Sequence, residues 1–183
     1  EGEPADRVYT LNEGSARIYK LLSDGRRQIV GFALPGDFIG LAPRDVFPFS
    51  VDALDHARLC RFERDEFDRL ARQRPRLMER LHQYATDELL MAQQHMSVLG
   101  RRTAEERIAT FLVDLRRRWA RISGRSVTIP LPMQRLDIAD YLGLTIETVS
   151  RTLTRMARER VLLMVPDGVR LLDDARLVAM KGD

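Results

Sequence analysis

Ala139 and Gly143 set the tightest constraint on how this chain can fold. A small residue followed four positions later by a glycine is what two short helices need to cross closely and turn sharply. The pair sits in Arg135-Leu136-Asp137-Ile138-Ala139-Asp140-Tyr141-Leu142-Gly143-Leu144-Thr145-Ile146-Glu147-Thr148-Val149-Ser150-Arg151-Thr152-Leu153-Thr154-Arg155. Ile138, Leu142, Leu144, Val149 and Leu153 supply the apolar residues for a shared core, and Thr145 is placed to cap a second helix from Ile146 to about Arg158. Composition alone fits an ordinary helical hairpin with a solvated charged face. The joint spacing predicts a helix-turn-helix.

The second helix would be amphipathic, with Val149, Leu153 and Met156 on its buried stripe. Such helices present N-terminal residues to base edges in the major groove. Arg151 can donate two hydrogen bonds to guanine, Glu147 can accept from cytosine, and Ser150 lies between them in reach. At i and i+4, Glu147 and Arg151 can also hold each other. Thr145, Thr148, Arg155 and the helix N-terminus are candidate phosphate contacts. Val161–Val165, the turn Pro166-Asp167-Gly168 and Val169–Leu172 predict a following β-hairpin, the layout of a winged helix-turn-helix.

Upstream, residues 16–22 and 27–34 read as strands joined by Asp24-Gly25, a favoured tight-turn pair. Pro35-Gly36-Asp37 breaks the run, and Phe38–Leu41 starts another short strand, which suggests a small β-barrel or sandwich. A short helix over Arg64–Arg72 precedes a long one over Arg76–Leu99. The long helix carries two apolar stripes. Met78, Ala85, Leu89, Ala92, Met96 and Leu99 fall on a 4-3 repeat that includes His82, so six of its seven positions are apolar; Leu77, Leu81, Tyr84, Met91 and Val98 form the other. One stripe can cover the strand domain and the first can pair with a twin helix. The alternative is a helix wholly buried in one chain. Gly100-Arg101-Arg102 is expected to end it, and Thr103-Ala104-Glu105-Glu106 reads as a capping box opening a helix with Ile108, Phe111, Leu112, Leu115 and Trp119 on one face. The expected organisation is α+β: a strand domain over 1–74, a pairing helix over 75–101 and a winged helix-turn-helix over 102–183.

Charge agrees with that division. Residues 1–100 carry 14 Lys/Arg against 16 Asp/Glu, and residues 101–183 carry 16 against 11. Random scatter is one reading; a basic module that meets phosphates is the other. No apolar run reaches the roughly 18 residues a membrane span needs, the first residues do not resemble a signal peptide, and the single cysteine, Cys60, fits a reducing compartment such as the cytoplasm. No nucleophile–base set, metal-ligand pair or phosphate loop points to an enzyme, and His56, His82 and His95 lack ligand spacing. A protein–protein adaptor that uses the helical domain without DNA is a rival reading.

Three segments resemble the CRP/FNR family, named for the cyclic-AMP receptor protein and the fumarate-and-nitrate-reduction regulator. Gly31-Phe32-Ala33-Leu34-Pro35-Gly36-Asp37-Phe38-Ile39-Gly40 is similar to the turn of its sensor β-roll, Ala104-Glu105-Glu106-Arg107-Ile108-Ala109 to the start of its DNA-binding domain, and Glu147-Thr148-Val149-Ser150-Arg151 to the E-x-x-S-R reading motif of the FNR and FixK-like branch. The resemblance implies a cyclic-nucleotide-binding-like β-roll and a homodimer. It further implies readout of TTGA-like palindromes by Glu147, Ser150 and Arg151, and recruitment of RNA polymerase to anaerobic or microaerobic genes, with the Pro43–Phe49 loop as a candidate polymerase contact.

The departures bear on the signal. Cyclic-nucleotide binders of the family carry a Glu and then an Arg-Ser/Thr pair, where this chain has Ala42 and Phe49-Ser50-Val51. That argues against cyclic AMP, and Arg44 is the one nearby substitute. Cys60 aligns with the central cysteine of FNR-type oxygen sensors, which hold a [4Fe–4S] cluster with three more cysteines in an N-terminal segment. One thiolate cannot hold such a cluster, so the resemblance implies a cluster only with a sensor segment ahead of Glu1. A small buried apolar residue at the end of a strand is the other reading of Cys60. A heme- or nitric-oxide-sensing member of the family is the alternative.

Overall fold

The computed structural model describes residues 1–42, 45–101, 103–124 and 126–182. Arg44, Pro43 and Arg102, each given a role above, lie outside the described residues.

Among the described residues, six strands build the N-terminal domain: β1 (Arg7–Glu13), β2 (Ala16–Leu21), β3 (Arg27–Ala33), β4 (Phe38–Ile39), β5 (Ser50–Ala53) and β6 (Arg58–Glu63). They form two antiparallel sheets, ordered β4-β1-β6 and β3-β2-β5. Leu11 and Ile39 from one sheet meet Ala16, Ile18 and Ala33 from the other, so the two close on a common core. Asp24-Gly25 does turn β2 into β3: Gly25 has φ 81° and Asp24 Oδ1 accepts from the Arg26 N–H at 3.0 Å. β4 is shorter than the expected Phe38–Leu41, because Gly40 has φ 76° and leaves the ladder. Residues 45–47 pair with the chain start, through Ala5 N to Asp45 O and Phe47 N to Glu3 O.

Two helices follow, α1 (Arg64–Gln73) and α2 (Pro75–Arg101). At 27 residues α2 is about 40 Å long. Its two stripes have different fates. Leu77, Leu81 and Val98 are buried or half-buried, and Leu77 and Leu81 join Val8, Phe67 and Ala71 in a core against β1 and α1. The Tyr84 hydroxyl lies 3.2 Å from both the N–H and the carbonyl of Phe38. In the other stripe Met78, Ala85, Leu89, Ala92 and Met96 are uncovered, with Met96 65% exposed, whereas Leu99 is half-buried and faces Gly143. α2 ends at Arg101, within the expected Gly100-Arg101-Arg102 segment, with Gly100 itself still helical. A helical glycine costs only about 1 kcal/mol relative to alanine, and the Leu99 carbonyl is taken by the Arg107 guanidinium at 3.0 Å.

The break comes at Thr103, whose hydroxyl accepts from Glu106 N–H while the Glu106 carboxylate accepts from Thr103 N–H at 2.6 Å, a capping box that opens α3 (Ala104–Ser123). Ile108, Phe111, Leu112 and Leu115 are buried. The remaining elements are β7 (Thr128–Pro130), α4 (Arg135–Leu142), α5 (Ile146–Arg158), β8 (Leu162–Val165), β9 (Gly168–Leu171) and α6 (Asp174–Met180), with sheet order β7-β9-β8. A side chain at Gly168 would strike the Ile129 carbonyl at 2.1 Å, so the wing closes only on a glycine. One apolar core joins the two domains: Ile29, Phe32 and Leu34 of the β2–β3 arm pack with Ile108, Phe111, Ile138 and Leu142. No helix among the described residues is long and apolar enough to cross a membrane.

Candidate nucleic-acid interface

The helix pair forms as its spacing dictates. Gly143 takes the left-handed conformation (φ 62°, ψ 43°) and its N–H returns to the Ala139 carbonyl, as does the Leu144 N–H at 3.0 Å. Thr145 caps α5: its hydroxyl accepts from Thr148 N–H at 3.2 Å and lies 3.0 Å from the Thr148 hydroxyl. Val149, Leu153 and Met156 are buried with Thr152, which clamps one side of α5 into the core. Glu147, Ser150, Arg151, Thr154, Arg155 and Arg158 are left exposed on its remaining surface. These residues repeat at helical spacing, so Glu147, Ser150, Arg151 and Thr154 share a face.

The six candidate contacts are not equivalent. Glu147, Ser150 and Arg151 are free to reach a ligand, and no ion pair joins Glu147 to Arg151 among the described residues. The hydroxyls of Thr145 and Thr148 are engaged in the cap, so what they offer a phosphate is chiefly the N-terminal end of α5. Arg155 is held by the carboxylate of Glu105 in the first turn of α3.

Several residues that position the head carry no local sequence signal. Asp137 is 1% exposed. Its Oδ2 accepts from the Gln134 N–H at 3.0 Å and closes the N-terminus of α4, while its Oδ1 accepts from Arg17 at 3.1 Å and Arg27 at 2.8 Å. Arg27 also reaches Asp140 at 3.2 Å, and Arg17 is anchored to Asp52 at 2.8 Å. Arg118 donates to the Phe32 carbonyl and to Asp37. Arg107 joins the end of α2 to the turn, with donors on the Leu99 and Leu142 carbonyls. Tyr141 lies among Phe32, Phe111 and a parallel His95 ring at 4.0 Å, and burial pushes its phenol up to about 12.

The cleft between the roll, α2 and the head is a poor fit for a cyclic phosphate. Asp37 and Glu88 both face it, Glu88 being pushed above the usual carboxylate range by desolvation and by Asp37, and Arg118 is committed to Asp37. Cys60 is exposed in the middle of β6, not buried at a strand end, because β6 is the outer strand of its sheet. Its sulfur accepts from Asn12 Nδ2 at 3.3 Å. No group of three His, Cys, Asp or Glu side chains able to hold a metal occurs among the described residues. The residues of this chain therefore do not by themselves fit an iron–sulfur cluster.

Residues 106–180 match the Crp-like helix-turn-helix domain and residues 1–74 the cyclic nucleotide-binding domain. The chain is 55% identical over 180 residues to the transcriptional activatory protein AadR of Rhodopseudomonas palustris, covering 98% of this chain and 75% of AadR. It is 50% identical over 172 residues to the nitrogen fixation regulation protein FixK of Bradyrhizobium diazoefficiens, covering 94% of this chain and 73% of FixK. The solved structure of FixK2 from Bradyrhizobium japonicum superposes over 100% of this chain and 91% of that one, with a TM-score of 0.89 at 38% identity.

Proposed function

This chain belongs to the CRP/FNR family as a DNA-binding transcription regulator of the FixK/FNR type, and we propose that it works as a homodimer reading a TTGA-like palindrome through Glu147, Ser150 and Arg151. The observation that carries the reading is the exposed row on α5: three residues able to address base edges stand on the open side of a helix whose other side is locked in the core. Arg151 supplies a two-donor fork for guanine and Glu147 an acceptor for cytosine N4. Arg155 and the N-terminus of α5 supply phosphate contacts, which fix register and make affinity fall with salt.

Pairing is proposed through the uncovered stripe of α2: Met78, Ala85, Leu89, Ala92 and Met96, with Leu99 closing its lower end. Two such helices would set two heads about one DNA turn, roughly 34 Å, apart. Recruitment of RNA polymerase to anaerobic or microaerobic genes completes the proposal. So does the division into a roll over 1–74, a pairing helix over 75–101 and a head over 102–183.

A gel shift on a duplex carrying TTGA-N6-TCAA tests the reading. The wild-type chain should retard it and Arg151→Ala should not at the same concentration. Equal binding by both, or by neither, removes the assignment of the reading residues.

A further inference from the structure

We propose that Arg17 and Arg27, in the strand domain and outside the reading helix, are positioning residues that set the spacing of half-sites the dimer accepts. The inference rests on the reading of α5 given above and adds what holds α5 in place.

The roll grips α4 in two ways. Apolar contact is the first, with Phe32 set edge-on to Tyr141 at 5.3 Å and to Phe111 at 6.2 Å. Such contact is largely non-directional, and Arg118 of α3 adds a single tether, to the Phe32 carbonyl and Asp37, about which the head can still turn. The second is directional. Arg27 bonds Asp137 and Asp140, and Arg17 bonds Asp137 from the neighbouring strand. Residues three apart lie on one face of a helix but a turn apart along it, so α4 is held at two points and cannot rotate about its axis. Each guanidinium is itself braced: Arg17 by Asp52, and both by the Tyr19 ring, at 5.9 and 5.8 Å from its centre. Asp137 is buried, and a buried charge stripped of its partners is costly, so the latched orientation is strongly preferred. The reading residues stay exposed in that orientation.

A fixed head accepts one separation and one rotation of its half-site. Adding or removing one base pair between half-sites turns the second through about one tenth of a helical turn. A locked head cannot follow, whereas a swivelling one can. Removing the arginines should thus relax the spacing rule without touching base readout.

The test compares three duplexes, TTGA and TCAA separated by five, six or seven base pairs, and a fourth with a single half-site. Arg17→Ala/Arg27→Ala is the variant of choice, because Asp137 also closes the cap of α4 and its replacement would damage the head itself. Wild type should prefer one spacer by about tenfold or more. The variant should bind the single half-site as wild type does, with its spacer preference reduced to about two- or threefold. An unchanged preference overturns the proposal, as does no preference in wild type, or a loss on the single half-site equal to that on the palindrome. Failure of wild type to bind any duplex sinks the reading of α5, and this inference with it.

Discussion

Arg155 of α5 and Glu105 of α3 form an ion pair across fifty residues, between the helix that reads and the helix that supports it. Both side chains reach solvent, so the pair adds little to stability. Its consequence is for binding: a guanidinium that meets a phosphate must share or leave its carboxylate. Glu105→Ala should therefore tighten binding to any duplex severalfold, specific or not. Arg155→Ala should weaken all duplexes alike and reduce the slope of log affinity against log salt by about 0.9. Titrations at several salt concentrations measure both. A Glu105→Ala chain that binds no tighter than wild type would show the pair to be irrelevant to the complex.

Gly143 gives a second prediction, because two costs of replacing it can be separated. A Cβ there would meet Arg107 Nη1 and Leu99 Cδ2 at 3.5 Å, ordinary contact distance. The backbone at φ 62° is the real obstacle, at roughly 1–2 kcal/mol for a residue with a Cβ. Gly143→Ala should lose about that much in urea unfolding, and Gly143→Asn visibly less, since asparagine tolerates the left-handed region. Equal losses from the two would point to crowding instead.

The contrast between these sites and the Arg17–Asp137 latch marks how far the sequence could be read. Ala139, Gly143, Thr145 and Val149 act on neighbours within ten residues, so their spacing alone announces the turn, the cap and the buried stripe. The two stripes of α2 are legible for the same reason: helical period is local. Arg17 and Arg27 stand 120 and 110 residues from Asp137. Nothing near them separates a latch from a solvated arginine on a strand. Asp137 gave no local sign of its burial or of the cap it closes with Gln134. The exposure of Cys60 depended on which strand forms the sheet edge.

The uncovered stripe of α2 gives the third prediction. Leu89 and Met96 are exposed in the single chain at 59% and 65%, a cost that pairing would remove. Leu89→Glu places a charge at the centre of the proposed seam, where two copies would face each other. It should convert the chain to a monomer in sedimentation velocity and abolish binding to the palindrome, with the far-ultraviolet dichroism unchanged because residue 89 contributes to no intrachain core. A Leu89→Glu chain that still sediments as a dimer would place the seam elsewhere.

His95 gives the last prediction. Its ring lies flat on Tyr141, half-buried between α2 and α4, and desolvation together with the nearby Arg107 holds its pKa below the ordinary 6.5, although a hydrogen bond at the Tyr141 backbone works the other way. The unfolded chain then takes up a proton at a higher pH than the folded one does. The contribution of His95 is complete above about pH 6.5 and is lost as the pH falls towards its lowered folded value. Glu88 acts with opposite sign, because its pKa is raised: its part is largest in acid and fades as the pH climbs through its folded value. The net slope of wild type mixes the two, and a single substitution separates them. His95→Phe keeps a flat ring against Tyr141 and removes the titration, so its melting temperature should fall less than that of wild type between pH 7.5 and pH 5.5. Parallel curves over that interval would mean that the stacked ring does not titrate differently in the folded and unfolded chains.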